Sequence, residues 1–205
     1  MIESLMEPVK HFITSHIEQA GYPTIVILMA LESANIPIPS EIILPFAGFL
    51  VSRGDLNFHA VAFAGAIGCV LGSVPSYLLG KHLGRGYLER FGSRVMISHK
   101  QLELADHWMA KYGNATAFFS RLLPVVRTFI SLPMGVTNAP IRPFIILTFL
   151  GSWIWSYFLT YVGLKLGDHW EQLGPIWHKF DAVIIAILIV GTLGSAWHHI
   201  KSAKD

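Results

Sequence analysis

Glu32-Ser-Ala-Asn-Ile-Pro-Ile-Pro-Ser-Glu41 interrupts an otherwise apolar stretch of the chain. Tyr22 to Leu31 precedes it without a charge, and Ile42 to Val51 follows it, apolar again but broken by Pro45 and Gly48. Each flanking piece has ten residues, which at about 1.5 Å per residue reach only about half of a ~30 Å hydrocarbon core. Backbone broken by proline survives at membrane depth only where protein or a wet cavity satisfies its polar groups. Residues 22–51 therefore read as a re-entrant hairpin or broken helix, with Pro37, Pro39 and Pro45 as structural breaks.

A second segment, 114–137, repeats this oddity. Two short apolar pieces are broken by Ser120-Arg-Leu-Leu-Pro-Val-Val-Arg127, with Pro124 and Pro133 as breaks and Gly135 after them. Cleaner apolar runs lie around the two segments, at 58–80, 143–165 and 177–200, each long enough to span a bilayer. Residues 1–21 contain Glu3, Glu7 and Glu18, so they lack the basic start of a signal peptide. Their apolar positions, Leu5, Val9, Phe12, Ile13 and Ile17, share one face, the pattern of an amphipathic interfacial helix.

Composition agrees with a membrane protein. The chain has 205 residues, 53% hydrophobic and only 14% charged, against about a quarter charged in soluble proteins. The net charge of +2 gives no field that would gather nucleic acid. The single cysteine, Cys69, allows no intrachain disulfide, and the histidines have no metal-ligand spacing. No metal and no cofactor are expected. His198-His199 beside Trp197 reads as an interfacial anchor.

The basic loop or surface helix at 81–113 and the Lys201/Lys204 tail point to the cytoplasm. With both inside, the first broken segment opens outward and the second inward. That arrangement is two inverted repeats, each a re-entrant hairpin plus a span, in an all-α polytopic membrane protein forming a single domain. Sequence echoes agree: Leu44-Pro45 with Gly48 against Leu132-Pro133 with Gly135, and Gly72-Ser73 against Gly151-Ser152.

Four ionisable residues stand in apolar surroundings: Glu32, Glu41, Arg121 and Arg127. A charge at bilayer depth costs roughly 2.5–3.5 kcal/mol on insertion scales, so such residues face a polar interior and find partners. One reading is that Glu/Arg pairs only hold the broken helices together. The other is a site, in which Arg121 and Arg127 bind a phosphate through their guanidinium forks while Glu32 and Glu41 relay protons or exchange ion-pair partners. A carboxylate out of water takes up a proton more readily and can cycle it near neutral pH. Lipid phosphatases of the acid-phosphatase type place a histidine nucleophile and an aspartate after Ser-Arg. Here Arg127 and Ser131 occupy those positions, so the chain reads as no enzyme of that kind.

Glu32-x4-Pro37-x-Pro39-x-Glu41, followed by Phe119-x-Arg121-x2-Pro124-x2-Arg127, resembles the DedA family, also called the SNARE-associated or VTT-domain family. The resemblance covers roughly residues 20–170. It implies an inner-membrane protein with two re-entrant hairpins that moves lipids across the bilayer. Bacterial members are linked to undecaprenyl phosphate and eukaryotic ones to phospholipid scrambling. The family's essential acids fall on Glu32 and Glu41 and its essential arginines on Arg121 and Arg127. This chain departs in reaching Glu41 after a short turn, where some members place an aspartate after a longer one.

The expected function is therefore a flippase for a lipid phosphate, most of all undecaprenyl phosphate, in the plasma membrane. Its partners would be that substrate and the membrane lipids, with no nucleic acid; no oligomeric state is legible. A non-specific scramblase, a membrane scaffold without transport and a small-solute antiporter are the competing readings.

Overall fold

The structure is a computed structural model that describes residues 2–36, 38–91, 107–167 and 169. The break residue Pro37, most of the basic loop and the 177–200 run with its basic tail lie outside the described residues. Among the described residues there are helices and no strands. Two of the described helices are long and apolar enough to cross a membrane, or three if one bent pair counts as a span.

The amphipathic helix is α1, Ile2–Ala20. Ile13 and Ile17, one turn apart, are buried, while Glu18 is exposed. Gly21, at φ 60, turns the chain into α2, Tyr22–Ser33. Asn35, at φ 70, then reverses it. Asparagine tolerates this left-handed conformation better than other non-glycine residues. Helix α3, Ser40–Ser52, begins after extended Pro39 and keeps Pro45 inside it.

Helix α4, Phe58–Phe91, starts where the Asn57 side-chain oxygen accepts the backbone N–H groups of His59 and Ala60. It runs past the expected end at Gly80 and kinks at Gly84, whose φ of 70 is outside helical geometry. Charged side chains end an apolar span without ending a helix, so the backbone continues where the hydropathy stops.

Residues 107–112 are helical and lead through a 3₁₀ turn, Gly113–Ala115, into three short helices: α5, Thr116–Arg121; α6, Pro124–Phe129; and α7, Ser131–Val136. Proline disfavours helical backbone in the residue before it. Leu123 is accordingly extended, at φ −111 and ψ 114. The two arms of this segment bend by 119°. Helix α8, Ile141–Leu166, follows after Asn138 turns at φ 55.

Glycines mark where these helices meet. A methyl group on Gly72 of α4 would strike the Ala30 carbonyl of α2, and one on Gly151 of α8 would lie 2.7 Å from the Phe118 carbonyl of α5. Gly48 of α3 and Gly163 of α8 bring those two backbones together, as Gly135 of α7 and Gly80 of α4 do for theirs. Small residues at such contacts let helices approach closely in lipid, where apolar surface alone gives no preference for a partner.

Helix α8 is inside out relative to a soluble helix. Ile146, Ile154 and Phe158 are exposed, at 58%, 52% and 50%, whereas Thr148, Ser152, Ser156 and Thr160 are buried. Apolar side chains outward and hydroxyls inward is the pattern a lipid surround selects.

Candidate functional site

The two broken segments deliver their charges to one place. The turn between α2 and α3 puts Glu32 at the end of one helix and Ser40 and Glu41 at the start of the next. The Pro124 break puts Arg121 at the end of α5 and Arg127 in the last turn of α6. Glu32, Ser40, Arg121 and Arg127 are all buried, Arg121 at only 2% exposure.

Arg127 is the hub. Its Nη2 donates to the Glu32 carboxylate and to the Ser40 hydroxyl, and the Glu41 carboxylate lies 3.7 Å from the same nitrogen. The Ser40 backbone N–H also donates to Glu32, at 3.3 Å, so the turn holds the carboxylate in place. The guanidinium stands 5.3 Å from the centre of the Trp155 ring of α8, a cation–π contact that strengthens when water is excluded. Arg127 thus reaches α2, α3 and α8 from α6.

Arg121 faces differently. Its Nη1 donates to the backbone carbonyl of Arg127 at 2.5 Å, and its Nη2 to the Ser131 hydroxyl at 2.7 Å. One planar fork therefore spans the break, tying α5 to α6 and α7. Its Nε has no hydrogen-bond partner among the described residues.

Glu32, Glu41, Arg121 and Arg127, picked out in the sequence as charges in apolar surroundings, thus stand in one cluster. Pro39 precedes α3 and Pro124 opens α6, while Pro45 and Pro133 lie within α3 and α7. Sequence reasoning missed Ser40, Ser131 and Trp155. Ser40 carried a signal, because it adjoins Glu41 in the broken stretch. Trp155 carried none, being one of several aromatics in an apolar run.

The VTT domain matches residues 38–165, more than half of the chain. The chain belongs to the VTT-domain, or DedA, family. In this VTT-domain protein the matched stretch includes Glu41, Arg121, Arg127 and Trp155, and Glu32 lies just before it. Curated relatives cover most of its length. It is 37% identical over 175 residues to the "Alkaline phosphatase-like protein" of Lactococcus lactis subsp. cremoris, covering 83% of this chain and 82% of that one. It is 33% identical over 170 residues to "Undecaprenyl phosphate transporter A" of Bacillus subtilis, at 83% and 84% coverage. The protein of that name in Staphylococcus aureus is 29% identical over 199 residues, covering 95% of this VTT-domain chain and 98% of its own. No solved structure matches.

Proposed function

We propose that this VTT-domain protein carries a lipid phosphate, undecaprenyl phosphate, across the plasma membrane. The observation that carries the reading is Arg127, a buried guanidinium whose acidic partners come from the other broken segment. A guanidinium stays charged under all relevant conditions and matches a phosphate bidentately. Two relatives named for undecaprenyl phosphate support this choice of substrate.

In this mechanism the phosphate displaces the carboxylates from Arg127. Arg121 adds the second positive charge and holds the break that presents Arg127. Charge balance then gives the acids their task. Two guanidiniums against two ionised carboxylates sum to zero, so a phosphate dianion added to the cluster leaves it at −2. Proton uptake by Glu32 and Glu41 restores neutrality and releases both arginines to the phosphate. Proton movement and headgroup movement are thereby linked, and the transfer needs no covalent chemistry.

The inverted-repeat arrangement belongs to the same proposal. Its support is the equivalence of the glycine contacts. Helix α2 meets α4 at Gly72 as α5 meets α8 at Gly151, and α3 meets α8 at Gly48 and Gly163 as α7 meets α4 at Gly135 and Gly80. Each broken segment thus packs on both long helices, with their roles exchanged. Two hairpins so related would approach the middle of the bilayer from opposite sides and open the cluster to each side in turn.

Purified protein in liposomes should accelerate the flipping of undecaprenyl phosphate, and Arg127→Ala should abolish the acceleration. Flipping that proceeds unchanged in Arg127→Ala would remove the site. A membrane scaffold would keep its role in Arg127→Lys, whereas a bidentate phosphate seat would not.

A further inference from the structure

The four hydroxyls on the inner face of α8 recur every fourth residue: Thr148, Ser152, Ser156 and Thr160. All are at most 2% exposed, and none has a hydrogen-bond partner among the described residues. A buried hydroxyl in a helix usually donates to a carbonyl of the preceding turn. Elsewhere in this chain that happens for several hydroxyls, although Ser73 of α4 is a further buried one without a partner among the described residues. Ser76 donates to the Gly72 carbonyl at 3.3 Å, Ser120 to Ala117 at 3.3 Å and Thr137 to Met134 at 3.0 Å. The α8 hydroxyls do not, so something other than backbone must satisfy them.

Their surroundings limit what that is. The turn of Ser152 lies against Arg121, since a methyl group on Gly151 would come 2.8 Å from the Arg121 Cβ. Trp155, one turn beyond Ser152, carries Arg127 on its ring. The Ser156 hydroxyl itself would lie 2.7 Å from a methyl on Gly65, and the Thr160 backbone meets Gly48. The row therefore passes the part of α8 that meets Arg121 and Arg127, and further on it lies in the close contacts of α8 with α4 and α3. Independently, the Arg121 Nε–H is buried without a partner beside the same helix.

Water fits this row. Residues four apart on a helix have Cβ atoms about 5–6 Å apart. That is close to two O–H···O bonds of about 2.8 Å end to end, so one water between successive hydroxyls bonds to both. Residues 148 to 160 rise about 18 Å along the axis, more than half of a ~30 Å core.

We propose that Thr148, Ser152, Ser156 and Thr160 hold a single file of water that runs past the buried charge cluster and supplies it with protons. The proton task rests on the transport reading above; the water file does not.

The test is X-ray radiolytic hydroxyl labelling of the full chain in lipid nanodiscs, which marks side chains next to bound water. Trp155 and Met29 are both buried and both react with hydroxyl radicals, but Met29 lies on α2, against Gly68 of α4, and not on the helix that carries the row. Trp155 should be oxidised several-fold faster than Met29, and Ser152→Ala with Ser156→Ala should bring its rate down to that of Met29. A Trp155 as silent as Met29 in the wild type overturns the water file without requiring any variant to fold. Labelling that survives both substitutions overturns the assignment to these hydroxyls, and Thr148→Val, which keeps side-chain shape, repeats that comparison. The proton task is read separately, as uptake of undecaprenyl phosphate driven by a pH gradient in liposomes. It should fall several-fold in the double variant, and unchanged uptake overturns that task. Water labelling in a protein that flips no lipid phosphate would sink the transport reading and leave the water file standing.

Discussion

Arg127 is bound to Glu32 across 95 positions of sequence, and this bond joins the two broken segments in the interior. Both partners are buried, so each depends on the other for most of its solvation. Removing one member of a buried ion pair leaves an uncompensated charge and costs about 3–5 kcal/mol.

A double-mutant cycle should therefore show strong coupling. Arg127→Met and Glu32→Leu should each lower unfolding stability in detergent by about 3–5 kcal/mol, while the pair together should cost much less than the sum. All four proteins should also be tested for flipping. Additive losses of stability would mean that the two side chains do not depend on each other in this way.

Arg121 and Ser131 should rank in a fixed order. Arg121 makes two charged or charge-assisted bonds across the Pro124 break, each worth about 1.5–3 kcal/mol, whereas Ser131→Ala removes only one partner. Arg121→Lys keeps the charge but cannot span the Arg127 carbonyl and the Ser131 hydroxyl with one rigid plane. Thermal unfolding should place Arg121→Ala as the least stable, then Arg121→Lys, then Ser131→Ala. A lysine variant as stable as the wild type would contradict the role of the fork.

Paired glycines offer a test of the repeat that needs no transport assay. Gly48→Val and Gly135→Val both push a side chain into facing backbone, at Thr160 and at Tyr77. Overpacking of this kind costs typically about 1–3 kcal/mol and more where backbone must move. Both variants should fall in yield and melting temperature by similar amounts. A large loss at only one of the two packed glycines would argue against equivalent halves.

Hydrolysis should be absent although one relative carries a phosphatase-like name. Among the described residues, the hydroxyl bonded to Arg127 is that of Ser40. Its neighbours are a guanidinium, which cannot accept a proton, and Glu32, which in the proposed cycle is already protonated when the phosphate is bound and so cannot take the Ser40 proton. Incubation of the purified protein with undecaprenyl phosphate should release no inorganic phosphate above the background of Arg127→Ala. Release that depends on Ser40 would replace transport with catalysis.

Much of the cluster was legible because the bilayer makes polarity conspicuous. Glu32, Glu41, Arg121 and Arg127 stood out as charges in apolar segments, and the neighbouring prolines marked the breaks. What those charges touch was not legible. The division of labour between the arginines follows from the 119° bend, which turns Arg121 back onto the carbonyl of Arg127. Trp155 was hidden among neighbours of the same type: Trp153 and Tyr161 are exposed, at 37% and 50%, and only rotation about α8 turns Trp155 inward to Arg127. That the first stretch of α4 runs to the Gly84 kink was not legible, because hydropathy reports where a span leaves lipid and says nothing about where its hydrogen bonds stop.

The buried cluster has an electrical consequence. Moving one elementary charge across a membrane potential of 100 mV involves about 2.3 kcal/mol, enough to bias a conformational equilibrium strongly. In the transport cycle proposed above, Arg127 and Arg121 with ionised Glu32 and Glu41 would make an interior whose charges cancel, so the field would do no net work on these four groups when the unloaded protein changes the side it faces. That return step would then run at the same rate in an energised membrane and in a depolarised one.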